Sequence, residues 1–244
     1  MSCQTLSLSG NTSELECRFF PPIEVGDSAE IGLLSLQTYN SMPNVEPGCN
    51  TLGIINARGD TSLIQIPTGC YEINTLEAKI VEHLNLSGED FHFKLKSNAS
   101  TLKCTILCSR DVVFDVNNSI APLLGFHRTD RLAANFIHES VELVNIMKIN
   151  CIKVVCNLAV GSFENGIQTH SIHEFYPAVA PGYKIIEIPK YCVLYRLGAN
   201  VVDHVRVTLR DQHDRLINLR GETLNVRLLV KKKKNNNNRN GTQI

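Results

Sequence analysis

Long runs in which apolar side chains recur at every second residue constrain this chain more than any other feature. Ile152, Val154, Cys156, Leu158 and Val160 alternate with Cys151, Lys153, Val155, Asn157 and Ala159. Val205, Val207 and Leu209 alternate with Arg206, Thr208 and Arg210, and Leu224, Val226, Leu228 and Val230 with Asn225, Arg227 and Leu229. Successive side chains of an extended chain point to opposite faces, so such runs make strands with one dry face and one wet one. Leu15, Cys17 and Phe19 repeat the pattern against Glu14, Glu16 and Arg18, until Pro21-Pro22 interrupts it. Ala29 to Leu36 is almost continuously apolar, the signature of a strand buried on both faces.

Shorter strand signals fill the middle of the chain. Thr51–Asn56 and Leu63–Ile66 flank the turn-prone Arg58-Gly59-Asp60, and Phe91–Lys96, Thr101–Leu107 and Val112–Asp115 follow. Lys184–Ile188 and Cys192–Arg196 lie either side of Pro189. One helix is expected, with Asn74 as its cap, Glu77 completing a capping box and Leu76, Ile80 and Leu84 on one face. A helical turn is predicted at Ile120–Leu124, closed by Gly125, while residues 132–147 fit a helix or strands equally. Several short strands, few helices and no βαβ rhythm predict an all-β fold, an antiparallel two-sheet sandwich with Greek-key connections. One domain is expected over residues 14–230, preceded by an arm at 1–13. A tail, KKKKNNNNRNGTQI at 231–244, has nothing apolar enough in its Lys/Asn stretch to fold and is expected to be disordered.

Composition narrows the function classes. Apolar residues make up 43% and charged ones 20% of 244 residues, enough for a substantial core. The net charge is zero, but residues 231–244 hold five of the 24 basic residues and no acid, leaving 19 against 24 acidic residues in the body. An acidic body repels nucleic acid, so contact with DNA would run through Lys231, Lys232, Lys233 and Lys234. The same run equally suits a nuclear address or a solubilising tail. Nine cysteines without a C-x-x-C pair argue against a disulfide framework or a zinc site and read as buried thiols in a reducing compartment. No basic segment followed by a long apolar run opens the chain, and no stretch suits a membrane. The chain is therefore expected inside the cell that makes it, without membrane partner or cofactor.

Catalytic constellations are incomplete. His138-Glu139 begins a zinc-protease motif, but position 142 is Glu142 where the second His is required. His170, His173 and Glu174 form a metal-ligand set of the kind a cupin-like metalloenzyme would use, although the H-x-H pair on one strand face is absent. Arg58-Gly59-Asp60 matches the tripeptide of receptor-binding loops, yet Gly-Asp is also ordinary turn chemistry, the reading favoured here. These residues lead to an expectation of no enzyme. A β-sandwich binding module, lectin-like or attachment protein, is the alternative to a structural subunit.

Four segments in order carry a family resemblance: Ile66-Pro67-Thr68-Gly69-Cys70-Tyr71-Glu72-Ile73; Ala121-Pro122-Leu123-Leu124-Gly125-Phe126; Phe175-Tyr176-Pro177 with Pro181-Gly182-Tyr183-Lys184 through Pro189; and Val207–Gln212 with Leu219–Leu224. Together they resemble the minor capsid (penton) proteins of Polinton/Maverick elements and of adintovirus- and virophage-like DNA viruses, over about residues 14–230. The resemblance implies a single jelly roll forming homopentamers at icosahedral vertices of a virion, beside a separate double-jelly-roll major capsid protein. Adenovirus penton bases, more distant, display an Arg-Gly-Asp loop on a large insertion, whereas here the tripeptide sits in a short connection.

Overall fold

The structure is a computed structural model that describes residues 2–85 and 91–232. The described residues fall into two compact units: those up to Met42 and from Ile149 onward form one, and Pro43–Lys148 form the other. The stretch 14–230, expected as one domain, is thus a domain with a second unit spliced into it. The chain lays down β1 (Ser2–Gly10), β2 (Glu14–Glu24) and β3 (Glu30–Tyr39) before entering the second unit. That unit holds β4 (Thr51–Ile55), β5 (Thr61–Gln65), α1 (Ile73–Asn85), β6 (Phe93–Ser97), β7 (Cys104–Cys108), β8 (Val112–Val113), α2 (Ala121–Leu124), β9 (Arg131–Leu132) and β10 (Ile137–Glu139). The chain then returns through β11 (Ile152–Cys156), β12 (Ala159–Val160), β13 (Ser162–Glu164), β14 (Ile167–Thr169) and β15 (Ser171–Phe175). It finishes with β16 (Lys184–Glu187), β17 (Tyr195–Leu197), β18 (Val201–Arg210) and β19 (Leu224–Lys232).

The first unit is a jelly roll. One sheet runs β1-β19-β3, with β16 and β17 sharing the far side of β3 and β12 beyond β17; the other runs β15-β11-β18-β2. Numbered in chain order, the eight principal strands (β1, β2, β3, β11, β15, β16, β18 and β19) stand 1-8-3-6 in one sheet and 2-7-4-5 in the other. Every pairing is antiparallel, which is the double Greek key of a jelly roll. The alternation seen in the sequence sets which faces meet. Ile31, Leu33 and Leu36 of β3 and Val226, Leu228 and Val230 of β19 pack in one core with Val154 and Cys156 of β11 and Val205 and Val207 of β18. Each is almost completely buried, a gain of roughly 1.5–3 kcal/mol per large aliphatic side chain. Along β3 the outer side is close-packed as well: a Cβ on Gly32 would come within 2.4 Å of the Val193 carbonyl oxygen, so only glycine fits there.

Two boundaries differ from expectation. The segment 1–13 is not a free arm, because Leu6 and Leu8 are buried and Ser2–Gly10 pairs residue by residue with β19. The basic tail begins later than residue 231, since Lys231 and Lys232 belong to β19, opposite Cys3 and Ser2. Lys233, Lys234 and the rest of the tail lie outside the described residues.

After β18 a tight turn is organised by Asp211. Its carboxylate accepts hydrogen bonds from the backbone N–H groups of His213 and Arg215, both at 2.9 Å, and from Arg215 Nε at 2.8 Å. Burial alone would push this carboxyl up. The bonds from the Arg215 side chain and from the two N–H groups outweigh it and hold the group below its usual 3.8.

The second unit has its own core. Leu76, Ile80 and Leu84 of α1 pack with Leu95, Cys104, Ile106 and Phe114, and the Phe114 ring stacks on Phe126 with centroids 5.2 Å apart. The helix forms where expected, with a different cap. Thr75 Oγ1 accepts from the Glu72 N–H at 2.9 Å, while Glu77 reaches sideways to accept from the Leu95 N–H at 3.1 Å. The α2 turn is closed by Gly125 in the left-handed region, with φ 77°, where a Cβ would also sit 2.3 Å from the Glu142 carbonyl oxygen. Residues 132–147 are neither a helix nor long strands: β9 and β10 are followed by an irregular segment. The ends of the unit are tied, Asn44 Nδ2 donating to the Ile146 carbonyl at 3.1 Å and Lys148 pairing with Glu46.

A separate core and tied ends make this unit independent. The fragment Pro43–Lys148, expressed alone, is expected to unfold cooperatively by circular dichroism; a gradual, non-cooperative melt would contradict the division. In the jelly roll, Asp211→Asn should cost about 1–3 kcal/mol at neutral pH in chemical denaturation. Because the folded carboxyl titrates below its unfolded value, its contribution is present above about pH 4 and fades as the pH falls further. The gap between variant and wild type should close over that acidic range.

Candidate functional site

The residues singled out as metal ligands do not converge. His170 Nδ1 lies 2.6 Å from the Ala159 carbonyl oxygen. His173 Nε2 lies 2.8 Å from Glu187 Oε1, which ties β15 of one sheet to β16 of the other. Glu174 follows His173 on a strand, so successive side chains alternate in direction; it accepts a hydrogen bond from the Ser171 hydroxyl at 3.5 Å and lies opposite Lys153 of β11. Among the described residues no group of three His, Cys, Asp or Glu side chains is placed to hold a metal. A cupin-like site needs a hollow between the sheets, and here that space is filled with aliphatic side chains.

The Arg58-Gly59-Asp60 tripeptide occupies the exposed tip of the β4–β5 hairpin. Asn56 Oδ1 accepts from the N–H groups of Arg58 (2.9 Å) and Asp60 (3.0 Å), and Gly59 takes φ 87°. The residue types are those this turn requires. The cysteines are free, as expected. Cys104 and Cys156 are pushed up by burial, to about 12 and about 11, so both stay protonated and behave as small apolar core residues.

What sequence reasoning missed is the flank where β15 and β16 end the two sheets. Here large apolar side chains stand in solvent: Phe163 on the β13–β14 hairpin, Tyr176, Tyr183, Ile186, Ile188, Tyr191 and Val193. Ile185 of β16 is buried opposite Thr38 of β3, whereas its neighbour Ile186 is 56% exposed. A cleft of about 440 Å³ opens on this flank, with Phe163, Val193, Tyr195, Ile172 and Glu174 among its walls. Beneath it Lys153 of β11, buried in spite of its charge, is held by Glu164 of the hairpin at 2.5 Å. A concentration of exposed apolar side chains beside a polar cleft has the make-up of a protein-binding surface. Nothing in the alternating pattern separates Ile186 from a core residue; only its pairing does.

The opposite edge of the same sheet is β2. Its ladder with β18 breaks between Ile23↔Val202 and Arg18↔His204, so Phe19, Phe20, Pro21 and Pro22 bulge out opposite Asp203 alone. Phe20 is fully exposed, at 101%. Among the described residues no helix is long and apolar enough to cross a membrane.

No protein-family profile matches the chain, and no curated protein matches it. Among solved structures, the chain is similar to the mavirus penton protein, with a TM-score of 0.48 and 10% sequence identity over 94% of this chain and 98% of that one.

Proposed function

We propose that this chain is a structural subunit of an icosahedral virus shell, of the kind its sequence motifs resemble in Polinton/Maverick minor capsid proteins. It assembles as homopentamers at the vertices, beside a separate double-jelly-roll major capsid protein. The observation that carries this reading is the exposed apolar flank of the jelly roll. Jelly rolls serve capsids, lectins and cupins alike, so the fold by itself does not choose among them. The filled interior speaks against a cupin. The flank distinguishes a subunit from a solitary binding module, because side chains such as Ile186, Ile188 and Tyr191 are costly to leave in water unless another surface covers them. Covering the flank also removes the open strand edges of β15 and β16 as sites of uncontrolled pairing. Within a virion, Lys231–Lys234 would supply a salt-dependent contact with packaged DNA. The chain would be made in the interior of its host cell.

Light scattering and negative-stain microscopy of the purified full chain test this. Rings of five 27.2 kDa copies are expected. A monomer across salt and pH would overturn the reading, and glycan binding by that monomer would favour the lectin-like alternative.

A further inference from the structure

We infer that the ring closes head to tail: Phe20 on the β2 edge of one copy docks against Phe163 and Val193 on the β15 flank of the next. This rests on the pentameric reading above and names the surfaces that build it. β2 and β15 are the two outer strands of one sheet, so a contact between them joins different patches of identical chains. Such a heterologous contact propagates in one direction and closes into a ring when its rotation allows.

Shape supports the match. Phe20 projects from a bulge and is followed by Pro21 and Pro22, whose fixed φ angles leave the arch little freedom to lose on binding. An aromatic side chain wholly in water on a stiff arch is a knob without a socket in its own chain. On the far edge, the exposed Phe163 and Val193 rim the cleft.

Charge supports the same register. Two residues before Phe20 on the strand, Arg18 has a side chain 84% exposed, with its Nε 3.7 Å from Glu16. Glu16 is itself engaged by His204 at 3.1 Å, which leaves most of the Arg18 guanidinium open. On the cleft wall Glu174 is the matching anion. Glu164 and Glu174 share the one cation of the cleft, Lys153, which Glu164 holds at 2.5 Å and which lies opposite Glu174 on the next strand, so the cleft carries one more acid than base. Phe20 at the rim therefore brings Arg18 towards Glu174, setting a largely exposed guanidinium against the surplus negative charge of the cleft.

Two sets of variants of the full chain test the contact by analytical ultracentrifugation. Phe20→Ser removes the knob from a fully exposed position, so its circular dichroism should match wild type while ring formation weakens at least tenfold. Arg18→Glu and Glu174→Arg should each weaken the ring, and the two together should restore it, an outcome that a folding defect would not produce. Rings of Phe20→Ser with the concentration dependence of wild type would overturn the contact, as would a double variant no better than its parents. Either result would leave the pentamer itself standing. A wild-type chain that never forms rings would instead bring down the pentamer and this contact together.

Discussion

Everything in the jelly roll depends on covering the inner face of β3 and β19. These two strands lie side by side in the middle of one sheet, and their Ile31, Leu33, Leu36, Val226 and Leu228 side chains are shielded by β11 and β18 of the other. Truncating such a residue costs about 2–5 kcal/mol, a large part of a domain's total stability. The sandwich interior is therefore filled by these packed side chains.

The outside has two unlike edges. On the β2 side the strand is bent out by a bulge and two prolines, which blunt it against indiscriminate pairing while leaving one aromatic side chain in water. On the β15 and β16 side the His173–Glu187 pair clips the sheets together, and apolar side chains stand exposed around a cleft. A solitary binding protein has no need of a knob on one edge and a rimmed cleft on the other. In the proposed ring these two edges are the two halves of one contact.

Strands were legible in the sequence wherever alternation was long, because burial of one face imposes a period of two that no other element mimics. β18 and β19 lie where Val205–Leu209 and Leu224–Val230 put them, whereas the Ile152–Val160 run is not one strand: β11 ends at Cys156 and Ala159–Val160 passes into the other sheet as β12. β1 was not legible, since Ser2–Gly10 offers only Leu6 and Leu8 to a buried face and otherwise reads as a polar arm. The spliced-in unit was hidden for a different reason. Its strands follow the same period as those of the jelly roll, and Met42-Pro43 and Lys148-Ile149 carry no linker composition to mark the joins. The candidate site was the least legible part: Ile185 and Ile186 are the same residue to a reader of sequence, and only pairing with β3 sends one inward and the other out. His170, His173 and Glu174 had the residue types of a metal set but not the H-x-H spacing, and each side chain has a different partner in the fold.

In the proposed ring the two edges of one sheet meet between copies of the chain. Hydrogen–deuterium exchange compared between the concentrated assembly and a dilute, dissociated sample tests it most directly. The account predicts that assembly slows exchange in residues 16–24 and in 163–175 and 186–193, leaving the 56–60 hairpin tip unchanged. Protection confined to other surfaces, or none at all, would contradict it.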